Sequence, residues 1–348
     1  MKQKYKQVLK GKTILITGGT GSFGNSVVEA LLPYKPKKIV IFSRDEKKQF
    51  DMRNTFDSPL LRFVIGDVRD GESVDAVMQG IDFVFHAAAL KQVPTCEFFP
   101  MEAIKTNVFG AYNVLEAAVR HSVKKVVVLS TDKAAYPINA MGMTKALMEK
   151  LLVAKAKQID SRVTKLCIVR YGNVLYTRGS VIPYFIAKMH EKKSLPVTDS
   201  AMTRFLLPLS EAVDLVLHSL EKGENGHVYV RKSPAATLET VAKALCSLFD
   251  YKKGYDIVGI RSGEKMHETL LTKEEMLRSK EEAFYFTIPP ESQGLDYNTY
   301  FSQGKKRVKN RYEAFTSENT QRLDVKATEK LLLQLPEIQQ EMKLFHKK

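Results

Sequence analysis

Short β-branched runs alternate with longer stretches whose apolar residues recur every three or four positions throughout the first half of the chain. Strands are predicted at Thr13–Thr17, Lys38–Phe42, Arg62–Ile65, Phe83–His86, Val126–Ser130 and Leu166–Arg170, with helices near 23–32, 45–56, 72–79, 101–121 and 143–158. Strand, amphipathic crossover and strand in repetition is how a parallel sheet covered by helices reads. The fold class is therefore α/β, a Rossmann-like doubly wound parallel sheet. Beyond Arg170 the pattern loosens: Val181–Glu191, Glu211–Leu220 and Leu238–Phe249 read as helices, His227–Val230 as one more strand, and 250–348 is mixed. No repeat, low-complexity tract or linker interrupts the chain. Residues 10–174 are thus expected to form a dinucleotide-binding domain to which parts of 205–235 return. Residues 175–204 and 236–348 would form a smaller, interleaved C-terminal region over the strand C-termini, where α/β folds bind ligands.

At 348 residues, 44% apolar and 27% charged, the chain has the make-up of an ordinary globular protein with a large core. No apolar run approaches the ~20 residues of a membrane span, and MKQKYKQVLKGK has no signal-peptide core, so a cytoplasmic protein without stable membrane insertion is expected. The net charge of +15 is scattered, with clusters at the N-terminus, at Gly304-Lys-Lys-Arg-Val-Lys-Asn-Arg311 and at the final His-Lys-Lys. Neither stacking aromatics nor a reading motif accompanies them, so no nucleic-acid partner is expected. A positive field suits an anionic small substrate or a loose membrane-surface association, and a solvated face with no role is the commonest case. Cys96, Cys167 and Cys246 have no metal-ligand spacing and lie in apolar contexts, which points to buried thiols in a reducing compartment.

The first strand runs into Thr17-Gly-Gly-Thr-Gly-Ser-Phe-Gly24 and then a helix. Gly18, Gly21 and Gly24, with Thr20, Ser22 and Phe23 between them, suit a tight turn and a backbone approach to a pyrophosphate at a helix N-terminus. After the second strand come Ser43, Arg44 and, a turn later, Lys47. An NAD site wants a carboxylate at that tip, whereas Arg suits a 2′-phosphate, so NADP is favoured. Asp45 reads as a helix cap. Asp67 and Val68 follow the third strand, where the adenine end lies. His86-Ala-Ala-Ala89 puts the small Ala87 and Ala88 where a cofactor passes, and His86 reads as a packed histidine.

The glycine loop, HAAA, Asn107 in KTNVFGAYNVLEAA and Lys145 together resemble the extended short-chain dehydrogenase/reductases. FSRDEKKQ, GDVRD, HAAALKQVPTCEFFP, STDKAAYPINAMG, RYGNV, RGSVIP, MTRF and RSGEK resemble, more narrowly, the polysaccharide-biosynthesis UDP-N-acetylglucosamine 4,6-dehydratases of the 5-inverting type, capsule and O-antigen branch. That resemblance implies a homo-oligomeric (dimeric or hexameric) lyase that recycles a tightly bound NADP. Hydride leaves C4, the C5 proton and the C6 hydroxyl are lost, hydride returns to C6, and C5 is reprotonated from the other face. The product would be an L-fucosamine-type precursor. Asp132 would protonate the departing hydroxyl. Lys133, its pKa lowered by burial and a cationic nicotinamide, would move the C5 proton. Retaining relatives carry a carboxylate in place of this Lys. Thr131 would bond the C4 oxygen, and Lys145 the nicotinamide ribose. Met141, counted among the cofactor contacts, stands where related enzymes present a Tyr. The branch resembled here carries Met there too, so deprotonation of the C4 hydroxyl falls to Lys133, a water near Lys145, or Tyr136.

The same resemblance implies substrate contacts from Lys91, which would also touch the cofactor, and from Ser130, Asn173, Arg178, Gly179, Ser180, Val181, Arg204, Arg261 and Glu264. Asn319 reads as a cap for the final helix. Two stretches depart from the family pattern, Leu175-Tyr176-Thr177 and Gln293-Gly-Leu-Asp-Tyr297. Both bear on sugar specificity. Two rival readings are a UDP-hexose 4-epimerase, which needs no elimination machinery, and a catalytically inactive NADP sensor.

Overall fold

The computed structural model describes residues 5–177, 179–291 and 313–345. Arg178, Gln293–Tyr297, the basic run 304–311 and the terminal His-Lys-Lys lie outside the described residues.

The main sheet contains β1 (Thr13–Thr17), β2 (Lys38–Ser43), β3 (Leu61–Ile65), β4 (Phe83–His86), β5 (Lys125–Leu129), β6 (Lys165–Arg170), β7 (Val228–Arg231), β8 (Lys280–Glu281) and β9 (Tyr285–Ile288). Their order is β8-β9-β7-β6-β5-β4-β1-β2-β3. Strands β1 to β7 pair in parallel, and β9 and β8 add an antiparallel margin. Alternation explains how one strand serves two layers. Leu15 packs into the core on one face of the sheet, Ile14 and Ile16 into the core on the other. Each such fully buried aliphatic side chain contributes ~1.5–3 kcal/mol. Chain order reverses between β1 and β4, and that switch point opens the crevice in which α/β folds take nucleotides.

Element edges match the pattern-based expectation to within three residues, the largest shift being the start of helix Ala140–Gln158, with two departures. The helix expected over 101–121 is wound as Pro100–Ala103, a π-helical Ile104–Phe109 and Gly110–Arg120. The widened turn carries the buried Asn107, whose side chain bonds the backbone of Leu90 on both its N–H (2.8 Å) and C=O (3.0 Å). Inserted π turns of this kind serve to re-aim a side chain. Second, part of 236–348 returns to the sheet, since β8 and β9 lie in that range. Strand β9 buries Tyr285 on one face and Phe286 and Ile288 on the other, covering the edge of β7.

A third core, including Leu175, Phe185, Leu195, Val241, Leu245 and Ile338, holds the smaller C-terminal region together. Cys96 and Cys167 are buried as expected, but Cys246 is only half-buried. It sits off the apolar stripe of helix Leu238–Leu248, whose buried positions are 238, 241, 242, 244 and 245. No helix among the described residues is long and apolar enough to cross a membrane.

Candidate active site

The crevice begins where β1 gives way to the glycine loop. Gly18 has φ +66°, and a Cβ there would stand 2.7 Å from the Cα of Ala88. The loop and the alanines after β4 can meet only because that atom is missing. A Cβ on Gly24 would lie 2.0 Å from the Gly19 carbonyl oxygen, so this glycine lets helix Ser22–Leu31 seat against its own loop. Gly21 begins that helix with no side-chain cap, which leaves first-turn N–H groups available to an anion. These features fit a dinucleotide pyrophosphate. Asn25, absent from the sequence-based set, braces the turn by donating to the carbonyls of Gly21 (2.9 Å) and Thr20 (3.3 Å). Its position one residue past Gly24 was the available signal.

At the tip of β2 the hydroxyls of Ser43 and Thr20 are 2.9 Å apart. Arg44, half exposed, lies 3.3 Å from Asp67, and Val68 beyond it is buried. Lys47 pairs with Asp51 along the outer face of its helix. Asp45 accepts from the Lys48 N–H and is the cap its sequence position suggests. His86 sits 2.8 Å from the Thr17 hydroxyl, and burial, then the charge of Lys145, pulls it down to about 3, so it is a neutral packed ring.

Asn107 also donates to Thr144 (3.0 Å), which ties the loop after β4 to helix Ala140–Gln158. One residue on, Lys145 donates to the Leu129 carbonyl (2.8 Å). Burial pulls it down to about 8 against the opposing pull of Glu149. Met141 packs in a small apolar cluster with Cys96 and Ala103. Tyr136, in the left-handed region at φ +47°, donates to Glu274 (2.9 Å) and accepts from the Lys273 N–H (2.9 Å).

Strand β5 delivers Ser130 and Thr131 into a single 3₁₀ turn, Asp132–Ala134, capped by Thr131. The Thr131 hydroxyl donates to Asp132 (2.7 Å). The Lys133 ammonium lies 3.1 Å from Asp132 Oδ1 and 2.9 Å from Glu268 Oε1. The sequence reading expected burial to lower Lys133. Burial does oppose its charge, but the two carboxylates outweigh that penalty and hold it well above its ordinary value. Burial raises the Asp132 carboxyl, and Glu268 adds to the rise against the pull of Lys133. Burial also works against the Glu268 charge, but Lys133 and then Arg204 keep that carboxyl below its usual range. These environments favour the protonated form at Asp132 and Lys133 and the charged form at Glu268. Glu268 was missed by sequence reasoning, which stopped at RSGEK, three residues earlier.

Arg204, expected to contact phosphate, donates to the carbonyls of Thr203 (2.8 Å) and Lys265 (3.0 Å) and lies 3.8 Å from Glu268. Lys265 donates to the Ala135 carbonyl (2.7 Å). Arg261 is exposed and 3.8 Å from Glu264. Ser180 begins helix Val181–His190 without a side-chain cap bond, and Gly179 lies against the Gln92 side chain. Lys91 lies on the exposed segment after β4. Tyr176 donates to Glu341, while Leu175 is buried in the third core. Asn319 does not cap the final helices. It closes a local turn at Thr316 (2.9 Å), and Asp324 caps helix Val325–Leu332. Buried side-chain oxygens without a hydrogen-bond partner include those of Ser130, Asn173 and Ser180, with one oxygen each of Asp132, Glu264 and Glu268. A buried polar atom without a protein partner calls for one from outside, such as a ligand or a water.

Behind the site, Arg170 is buried between Glu149, at 2.7 Å, and Glu275, at 2.7 and 2.8 Å. The sequence reading did not find this triad, whose members lie 21 and 105 residues apart from the arginine.

The chain matches the model of a family described as polysaccharide biosynthesis protein over residues 14–290, and that of the polysaccharide biosynthesis protein C-terminal region over 292–339. A protein of Rickettsia massiliae named UDP-glucose 4-epimerase is 53% identical over 336 residues, 95% of this chain and 98% of its own. Its counterpart in Rickettsia bellii is 52% identical over the same length. Among solved structures, Pen from Bacillus thuringiensis is similar at 34% identity and TM-score 0.85, over 94% of this chain and 99% of that one. The dTDP-glucose 4,6-dehydratase DesIV of Streptomyces venezuelae, solved with NAD bound, shares the fold at 22% identity and TM-score 0.67, over 73% of this chain and 86% of its own.

Proposed function

The chain belongs to the polysaccharide biosynthesis protein family, and within it we propose a UDP-N-acetylglucosamine 4,6-dehydratase that inverts C5. The observation that carries this reading is the buried Asp132–Lys133–Glu268 cluster, whose free carboxyl oxygens have no role in a simple exchange of hydride at C4. A bound NADP supplies the hydride acceptor for C4 and the hydride returned to C6. Ser43 and Arg44, with no carboxylate at the β2 tip, support the 2′-phosphorylated cofactor.

Asp132, kept as an acid, donates its proton to the departing C6 hydroxyl. Lys133 moves the C5 proton after handing its own to Glu268, 2.9 Å away, Thr131 bonds the C4 oxygen, and Lys145 holds the nicotinamide ribose. Removal of the C4 hydroxyl proton falls to a water near Lys145, since Lys133 is paired with two carboxylates and the Tyr136 hydroxyl is committed to Glu274 and Lys273. Asn173, Ser180, Val181, Glu264 and Arg261 offer the nucleotide half of the substrate its polar contacts. Exposed apolar residues on adjoining helices, Phe109, Tyr112, Met143 and Leu147, support a homo-oligomer formed through that face in the cytoplasm.

A second reading, UDP-sugar 4-epimerisation, is favoured by the names of the Rickettsia relatives. Mass spectrometry separates the two. Dehydration removes one water from UDP-N-acetylglucosamine without added reductant and places one solvent deuteron at C5, whereas epimerisation leaves the mass unchanged. Lys133→Ala is expected to slow water loss by roughly 10²–10⁴-fold while retaining cofactor. Normal turnover by that variant would remove Lys133 from the reaction.

A further inference from the structure

Glu268 is buried, comes from a chain segment remote from the catalytic turn, and points one oxygen at the Lys133 ammonium (2.9 Å) while its other oxygen has no partner. Asp132 mirrors it on the other side of Lys133, at 3.1 Å, also with one oxygen unpartnered. Two buried carboxylates astride one ammonium cannot both stay ionised cheaply, so one of the two keeps a proton. Their surroundings decide which. Arg204 approaches Glu268 at 3.8 Å, and Lys265, bonded to the Ala135 carbonyl, adds a second cation on that side. His267 is taken up by Thr203 (2.8 Å) and lies 3.7 Å from Glu318. Among the described residues Asp132 accepts from the Thr131 hydroxyl and shares Lys133, and the charge of Lys265 acts on it less than on Glu268. The negative charge therefore settles on Glu268 and the proton on Asp132.

We propose that Glu268 is a positioning residue of the reaction, one that fixes the Lys133 ammonium beside the crevice and keeps Asp132 supplied with the proton it gives to the leaving hydroxyl. The inference rests on the dehydratase reading. In the step itself Lys133 passes its proton to Glu268, 2.9 Å away, and takes the proton from C5. The C5–H electron pair forms the C5=C6 bond, the C6–O bond breaks, the oxygen leaves as water with the Asp132 proton, and Asp132 is left as a carboxylate. The charge so created is met by Lys133, which shifts its ion pair from Glu268 towards Asp132. A merely structural Glu268 would steady the fold without influencing when these groups titrate.

The test uses the full-length enzyme with its cofactor, UDP-N-acetylglucosamine, and the variants E268Q and E268D. E268Q is expected to bind cofactor and still take hydride from C4, so that reduced-nicotinamide absorbance builds up. Water loss is expected to slow by roughly 10²-fold. Removal of the anion lets Asp132 and Lys133 lose their protons more readily, so the whole pH–rate profile moves to lower pH, by about one unit. E268D, with its carboxylate set back from Lys133, should recover much of the rate and show an intermediate displacement. Should E268Q fail to fold, the displacement in E268D alone decides. An unmoved profile in whichever variant folds, or a rate loss that E268D does not relieve, overturns the proposal. Absence of water loss in the unaltered enzyme would instead overturn the dehydratase reading, a separate result.

Discussion

The nucleotide side and the acid–base side of the crevice are built by opposite means. On the nucleotide side, within residues 17–24 and 86–89, backbone does the work and the decisive feature is the absence of atoms, as at Gly18 and Gly24. On the acid–base side the decisive feature is charge brought from far along the chain. Glu268 reaches Lys133, Lys265 reaches Ala135, and Glu275 reaches Arg170. The first arrangement is local and tolerates little change of shape. The second is long-range and tolerates little change of charge.

That contrast is sharpest where a charge can be deleted without changing volume much. Arg170→Met would leave Glu149 and Glu275 buried without their cation, and is expected to cost about 3–5 kcal/mol of stability, read as a lower melting temperature. A variant as stable as the parent would mean that the acid–base side does not depend on its ion pairs.

The nucleotide side should fail by shape instead. Gly24→Ala, whose Cβ would stand 2.0 Å from the Gly19 oxygen, is expected to destabilise the protein by about 1–3 kcal/mol and to weaken dinucleotide binding. Gly21→Ala, with 3.6 Å of clearance from the Gly18 oxygen, should bind nearly as well as the parent in the same titration. Equal effects at the two positions would break the argument from missing atoms.

The differing means also account for what could be read in advance. The glycine loop, the strand tips and Asp132-Lys133 are contiguous, so each carries its own context, and the layout of β1 to β7 followed from their alternation. Glu268 and the Arg170 triad depend on contacts across long loops, and no periodicity in a single chain states which carboxylate meets which cation. The π turn at Ile104–Phe109 was hidden for another reason: its apolar spacing passes for that of an α-helix, and the difference lies in where Asn107 must point. Strand β9 lay within the stretch read only as mixed, and neither it nor its partner was picked out.

The smallest expected effect lies at Lys145, the one residue that belongs to both descriptions. Its folded-state pKa is depressed to about 8, so its ammonium is present below that pH and lost above it. Cofactor affinity is expected to weaken as pH rises through about 8, and Lys145→Met should abolish that dependence in equilibrium binding. The linked stability has the complementary sign. The depressed pKa places this lysine's contribution at the alkaline end, fully present above its unfolded value and lost as pH falls through about 8.

The ties from residues 263–275 have a consequence in time as well as in space. The turn bearing Asp132 and Lys133 is gripped by Lys265 at 130 residues' separation and, through Tyr136, by Glu274 at 138. A growing polypeptide, made from its N-terminus, contains the whole glycine loop long before it contains Glu268. On the proposed reading, a nascent chain can therefore house a nucleotide before it can move a proton, and the protein becomes chemically armed only as its last third is synthesised.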